Sequence, residues 1–195
     1  MLIFVQIIMK MNKQNTSTII LAIILILAAA ISRVVMYPHN FSPIIGMAIF
    51  SGAVIKDRRL AFVLPILSMF LSDVMFELFN IAPGFWGWGQ LVGYGILALI
   101  TILAFNLKKI NVVSVVGYSL ASSVIFYILS NLSFFIFDNP IYHTYTSDAK
   151  GFMQCYIQAL PFFKTSLIAD LVYSGVLFGA YYLVNQYVIK KQVVA

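Results

Sequence analysis

Apolar residues run through this chain in long unbroken stretches separated by short polar groups. A helix crosses the hydrocarbon core of a bilayer in about 20 residues, whereas a barrel strand takes about 10 and alternates apolar with polar positions. The stretches do not alternate, so they predict helices. The first is 18–36, with its one charge, Arg33, near the far end. In the following YPHNFSP segment, Pro38 and Pro43 forbid a continuous helix. The second, 44–55, is rich in small residues (Gly46, Ala48, Ser51, Gly52, Ala53) and reaches only about 18 Å. It is expected to be packed inside the bundle or completed by its flanking loop. The third, 60–79, contains Pro65 and, near its far end, Asp73 and Glu77. A turn-rich NIAPGFWGWG loop (80–89) leads to a fourth stretch at 90–107 and a fifth at 112–137. A polar segment from Asp138 to about Ala159 follows, in which 148–158 reads as an interfacial helix, and the sixth stretch is 160–188. The pattern predicts an all-α integral membrane protein, a bundle of six transmembrane helices forming one domain over 1–195.

Residues 1–17 read as a short stub. Leu2 to Met9 is apolar but too short to span, and it lacks the basic start and small-residue cleavage site of a signal peptide. Met9 and Met11 are alternative starts.

Composition sharpens the class. Only 9% of the 195 residues are charged and 62% are hydrophobic, against about 25% charged in a soluble domain. That excludes a soluble enzyme, a nucleic-acid-binding domain and a disordered chain. The net charge of +6 is not clustered on one face. Nine of the 12 basic residues (Lys10, Lys13, Lys56, Arg58, Arg59, Lys108, Lys109, Lys190, Lys191) flank the same side of the six stretches. Arg33, Lys150 and Lys164 fall on the other. The positive-inside rule makes the first side, with both termini, cytoplasmic. The single cysteine, Cys155, excludes an internal disulfide and a multi-cysteine metal site.

The remaining ionisable groups stand out because each costs about 2.5–3.5 kcal/mol or more inside a bilayer. Asp73 and Glu77, four apart, share a helix face. Asp170 lies about 15 Å into the sixth stretch from the outside, close to the midplane. Arg33, Asn131, Lys164 and the loop residues His39, Asn40 and His143 all lie towards the outer side, and the inner halves of the stretches hold no comparable group. A pocket open to the outside would show this one-sided placement; a proton path would need polar groups on both sides.

Each residue also has a plainer role. Arg33 and Asp73 could pair only with each other, and Asp170 could anchor a neighbouring serine or backbone amide. Glu77 and Lys164 could reach the interface, and His39 and His143 could cap their loops. Trp86 and Trp88, with Phe85, Tyr142 and Tyr145, fit an interfacial aromatic belt as well as a stacking wall for a planar ligand. Cys155 fits an inert small apolar residue. The chain has no P-loop, HExxH or GxSxG motif, so neither enzymatic activity nor a cofactor or metal is expected.

Four stretches carry a resemblance: PHNFSPIIGMAIFSGA (38–53), LPILSMFLSD (64–73), CYIQALPFF (155–163) and DLVYSGVLFG (170–179). With the helix pattern they resemble an uncharacterised family of bacterial six-helix transport proteins, similar to the substrate-binding (S) components of energy-coupling factor transporters. The resemblance implies uptake of a small molecule, of the vitamin or precursor class, through an outward-facing site in the bacterial cytoplasmic (inner) membrane. It also implies a partner, an energising membrane subunit with ATPases. S components commonly offer a small-xxx-small stripe on the first helix for that partner. Here the one clean pair is Ala28 with Ser32, near the outer end. On this reading Arg33, Asp73 and Asp170 are the first ligand candidates, with Asn131, Trp86 and Trp88 next. His39, Asn40, Glu77, His143 and Lys164 are secondary. Two other functions stay open on the residues alone: a non-transport scaffold of the cell envelope, and an intramembrane hydrolase built on Asp73 and Glu77.

Overall fold

Six principal helices account for the long apolar stretches. The computed structural model describes residues 16–35, 40–85 and 87–189. His39 and Trp86, and the basic Lys10, Lys13, Lys190 and Lys191, lie outside the described residues. The helices are α1 (Thr16–Val35), α2 (Ile44–Val54), α3 (Arg58–Leu78), α4 (Trp88–Ala104), α5 (Val112–Ser133) and α7 (Ala149–Val184). A π turn at Phe134–Asp138 and the single turn α6 (Asn139–Tyr142) extend α5. Among the described residues there is helix and no strand.

The shortest helix is the centre. α2 has 11 residues, about 16 Å of rise, and is apolar on every face. A helix hydrophobic all round has to be buried all round. Accordingly α1, α3, α4, α5 and α7 all pack against α2, and Met47, Ala48, Ile49 and Phe50 are completely buried. Small residues set the closest approaches. A Cβ on Gly52 would lie 2.5 Å from the Thr101 carbonyl oxygen and 2.8 Å from Ala104 Cβ of α4. One on Gly46 would meet Tyr173 Cβ at 3.1 Å and Ser174 N at 3.2 Å. Phe50 stacks edge-on against Phe178, with ring centroids 5.2 Å apart. Gly46 beside Ser174 and Phe50 beside Phe178 are the same offset along both helices. α2 and α7 therefore run side by side in one direction and in register.

The long helices are inside-out relative to a soluble bundle. α5 buries Ser119, Ser122 and Ser123 while exposing Val116, Leu120, Val124 and Ile128. α1 exposes Ile20, Ile24, Leu27 and Ile31, a stripe at helical spacing. α3 exposes Val63, Leu67, Phe70 and Leu71. Apolar surface of that extent is far beyond the patches tolerated in water. Four helical segments (Thr16–Val35, Arg58–Leu78, Val112–Tyr142 and Ala149–Tyr187) are long and apolar enough to cross a bilayer. This is a membrane protein.

The connections between α2 and α3 and between α4 and α5 meet at one end of the bundle. The Arg58 guanidinium sits over the Phe105 ring at 5.2 Å, and Phe62 packs edge-on against the same ring. Asp57 caps α3 by accepting from Leu60 N at 3.0 Å, and Asn111 caps α5 by accepting from Ser114 N at 2.8 Å. Lys56, Arg58, Arg59, Lys108 and Lys109 thus gather at that end.

α7 is one helix where the sequence suggests an interfacial piece followed by a span. It continues through Pro161, at a cost of about 3 kcal/mol for the missing bond and ring clash. Packing on α5 offsets that cost. Tyr127 donates to the Tyr156 carbonyl at 2.7 Å, Tyr156 donates to the Ile128 carbonyl at 2.8 Å, and Tyr127 packs on Phe163 at 4.7 Å.

Gly52→Ala should force α2 and α4 apart and cost about 1–3 kcal/mol. Gly117→Ala, where an added methyl meets nothing within 4 Å, should leave stability unchanged or raised. Thermal unfolding of the two variants in detergent checks the contrast; equal midpoints would refute the close-packed role of Gly52.

Candidate functional site

The two buried carboxylates are built in opposite ways. Asp73 on α3 is 1% exposed and fully engaged. Arg33 of α1 donates to its Oδ1 at 2.5 Å and also to Ser72 Oγ, and stacks over the Phe76 ring at 4.6 Å. From α4, Gln90 Nε2 donates to Asp73 Oδ2 at 2.9 Å and the Tyr94 hydroxyl donates to it at 3.0 Å. Gln90 also donates to the Gly84 carbonyl at 3.0 Å. Glu77 is turned to the same loop and accepts from Gly84 N at 3.0 Å. Gly84 sits against the Asp73 carbonyl so closely that any Cβ would collide with it. The cluster ties α1, α3, α4 and the loop after α3 together.

Burying an ion pair is costly unless the remaining lone pairs and protons are met. Here one carboxylate takes a guanidinium, an amide and a phenol. Asp73 lies fifteen residues past the start of α3, about 22 Å from the basic end.

Asp170 on α7 is likewise 1% exposed. Among the described residues it takes one hydrogen bond, from Ser123 Oγ at 2.6 Å, and no basic side chain reaches it. Ser123 stands eleven residues past the start of α5, about 16 Å from the basic end and near mid-depth. Below it the α5–α7 seam is made of hydroxyls: Ser119 Oγ donates to Ser174 Oγ at 2.8 Å. Ser166 Oγ of α7 donates to the Asn40 carbonyl at 3.1 Å, Phe41 packs on Tyr173, and Gly46 lies against Tyr173 and Ser174. Ser42, between these residues and just before α2, therefore lies alongside the 166–174 stretch of α7 that carries Asp170. The Ser42 hydroxyl is buried and has no hydrogen-bond partner among the described residues. Two buried polar groups with unmet capacity therefore lie on neighbouring segments. Next to them, Tyr173 accepts from Ser32 Oγ at 3.0 Å and packs on Phe41 at 5.6 Å.

The other sequence candidates lie apart. Asn131 donates to the Tyr127 carbonyl at 2.7 Å, and the Cys155 thiol points to the Asn131 carbonyl at 3.8 Å. Trp88 is exposed at the start of α4, and Lys164 is exposed on α7. Asn40 and His143 are exposed residues with left-handed backbone, φ 61° and 50°. Among the described residues, no group of three His, Cys, Asp or Glu side chains gathers closely enough to hold a metal ion.

Gln90 and Tyr94 at Asp73, and Ser42, Ser119, Ser123 and Ser174 near Asp170, are not among the sequence candidates. A signal for the serines is present in the spacing: 119 and 123 share one face of α5, as 170 and 174 share one face of α7.

At its N-terminus, α7 is capped by Asp148. Its Oδ1 accepts from the Thr146 hydroxyl at 2.6 Å and from Gly151 N at 2.9 Å. The Thr146 hydroxyl first, and then the Gly151 N–H, hold its carboxyl below the usual carboxylate range. A lowered folded-state value means that the cap stabilises α7 above the ordinary carboxylate pKa and is lost as pH falls through the lowered one. Asp148→Ala should speed amide hydrogen exchange in the first turn of α7 at neutral pH. The ratio of variant to wild-type exchange should fall to one in acid; a pH-independent ratio would refute the ionised cap.

Arg33→Met or Asp73→Leu alone should each cost about 3–5 kcal/mol, because each leaves an uncompensated buried charge. The double variant should cost less than the sum of the two. A thermal double-mutant cycle measures the coupling, and additivity would show that the pair is not formed.

Comparison with curated proteins and with solved structures finds no match. A family profile does match, over residues 12–192, which is nearly the whole chain. The chain belongs to the family of unknown function DUF6580.

Proposed function

We propose that this protein is a membrane transport protein, a six-span bundle with both termini cytoplasmic, that takes up a small molecule of the vitamin or precursor class through an outward-facing site. One observation carries the reading. The Asp170 carboxylate is buried near mid-depth with a single hydroxyl donor, on the stretch of α7 that runs alongside the segment carrying the unpartnered hydroxyl of Ser42. Unmet polar capacity inside an apolar bundle is costly, and a bound solute relieves it. The gathering of Lys56, Arg58, Arg59, Lys108 and Lys109 at the opposite end supports the orientation. So does the placement of Arg33, Asp73 and Glu77 beyond mid-depth from that end.

The site moves accordingly. Arg33 and Asp73 form the wall that holds α1, α3 and α4 in place, and Asp170 with Ser42 and Ser123 forms the contact. A hydrolase would need Asp73 and Glu77 to share a cavity; they are engaged by different partners, Asp73 by Arg33, Gln90 and Tyr94 and Glu77 by Gly84 N. The chain carries no nucleotide motif. Its energy for uptake therefore comes from a gradient or from an energising membrane subunit with ATPases, in the bacterial inner membrane.

The test is a thermal-stability screen of the purified protein against vitamins and their precursors. A true ligand at one hundred times its Kd should stabilise by about 2.7 kcal/mol, and Asp170→Asn should remove that shift and cellular uptake of the same compound. Failure of every compound, with uptake unaffected in the Asp170→Asn cell, would overturn transport.

A further inference from the structure

We propose that the site at Asp170 receives the protonated amine of a small organic molecule. The inference rests on the transport reading and narrows its substrate class.

Charge complementarity comes first. A buried carboxylate is stable only when a counter-charge or several donors meet it, and here the protein supplies one serine hydroxyl. The basic groups nearest in the fold are committed or turned away. Arg33 is held by Asp73 and Ser72. Lys164 is six residues from Asp170 on the same helix and exposed; six residues carry a side chain about 240° round the helix and about 9 Å along it. An anionic ligand would meet uncompensated repulsion at this depth, while a cation supplies what Asp170 lacks.

The kind of cation follows from the other groups. A hard metal ion takes six or more oxygens, usually with several carboxylates. Asp170 is a single carboxylate, and Ser119 and Ser174 are spent on each other. An ammonium brings three N–H donors in a compact head. A carboxylate oxygen and the free oxygen of Ser42 can accept two of them. The aromatic pair of Phe41 and Tyr173, one turn from Asp170, offers ring faces of the sort that hold organic cations.

The experiment uses the full chain in lipid nanodiscs and three matched series: butylamine and phenethylamine, the alcohols of the same skeletons, and butyrate and phenylacetate. Saturating amine should raise Tm by about 5 °C, with no shift from the alcohols or carboxylates. Asp170→Asn should weaken the amine effect on the order of tenfold or more. Ser42→Ala, a smaller change that retains the fold should Asp170→Asn not, should weaken it by a smaller factor. Lys164→Met should leave it unchanged. A shift of equal size from the alcohols or carboxylates would overturn the proposal, as would an amine effect that survives in both site variants, or a shift given by sodium ions alone. No shift from either amine would overturn it too. If a neutral or anionic vitamin then stabilises the protein through Asp170, transport stands and the amine assignment falls. If nothing in either screen binds, both fall.

Discussion

A helix that is apolar on every side has no face to give to water or to a neighbouring subunit, and α2 is such a helix. Its eleven residues must be enclosed, and the other principal helices are arranged to enclose it. Gly46 and Gly52 let α7 and α4 come to backbone contact on two sides. On a third, Ser51 donates to the Ala61 carbonyl at 2.7 Å and ties α2 to α3. In a bilayer the hydrophobic effect gives no preference for helix over lipid, so close packing and interhelical hydrogen bonds carry the association. The closest packing is concentrated on α2, while most of the interhelical hydrogen bonds lie at Asp73 and along the contact of α5 with α7. The shortness of α2 also leaves the end of the bundle away from the basic cluster without a central helix. The polar groups of Arg33, Asp73, Ser42 and Asp170 lie around the start of α2 and beyond it.

Those polar groups divide into two systems. At Asp73 a guanidinium, an amide and a phenol converge on one carboxylate, and the loop glycine Gly84 closes over the backbone. Fully met networks of this kind rigidify what they join. At Asp170 a single serine serves a carboxylate of equal burial. The difference in partners, not in burial or residue type, separates the fully met acid from the under-partnered one.

Much of the architecture could be read from the chain. Unbroken apolar runs located the helices, and the length of 44–55 left two positions for α2, inside the bundle or completed by its flanking loop. The Arg33–Asp73 pair was one of the readings open from the sequence because two opposite charges at similar depth have few other solutions. What could not be read was which carboxylate would be satisfied. That depends on Gln90 and Tyr94, uncharged residues from a helix whose rotation periodicity does not fix in an apolar run. The continuity of α7 was hidden by Pro161, whose local cost is outweighed by tyrosine contacts with α5 that no local signal reports. The partnerless state of Ser42 depends on the parallel register of α2 and α7, a tertiary property.

The seam between α5 and α7 differs in kind from the joint at Asp73. Its bonds run from hydroxyl to hydroxyl and from hydroxyl to carboxylate. A hydroxyl is both donor and acceptor and turns about one bond, so Ser119 and Ser174 can exchange roles, while Ser123 serves the Asp170 carboxylate. The guanidinium of Arg33 has no such freedom. The bundle thus has a fixed half, pinned by an ion pair, and a half whose fastenings can be re-paired in place. A rearrangement of α7 along α5 would have to release the bonds of Tyr127 and Tyr156 as well as re-pair these hydroxyls, whereas the same movement of α1 along α3 would have to break a buried charge pair.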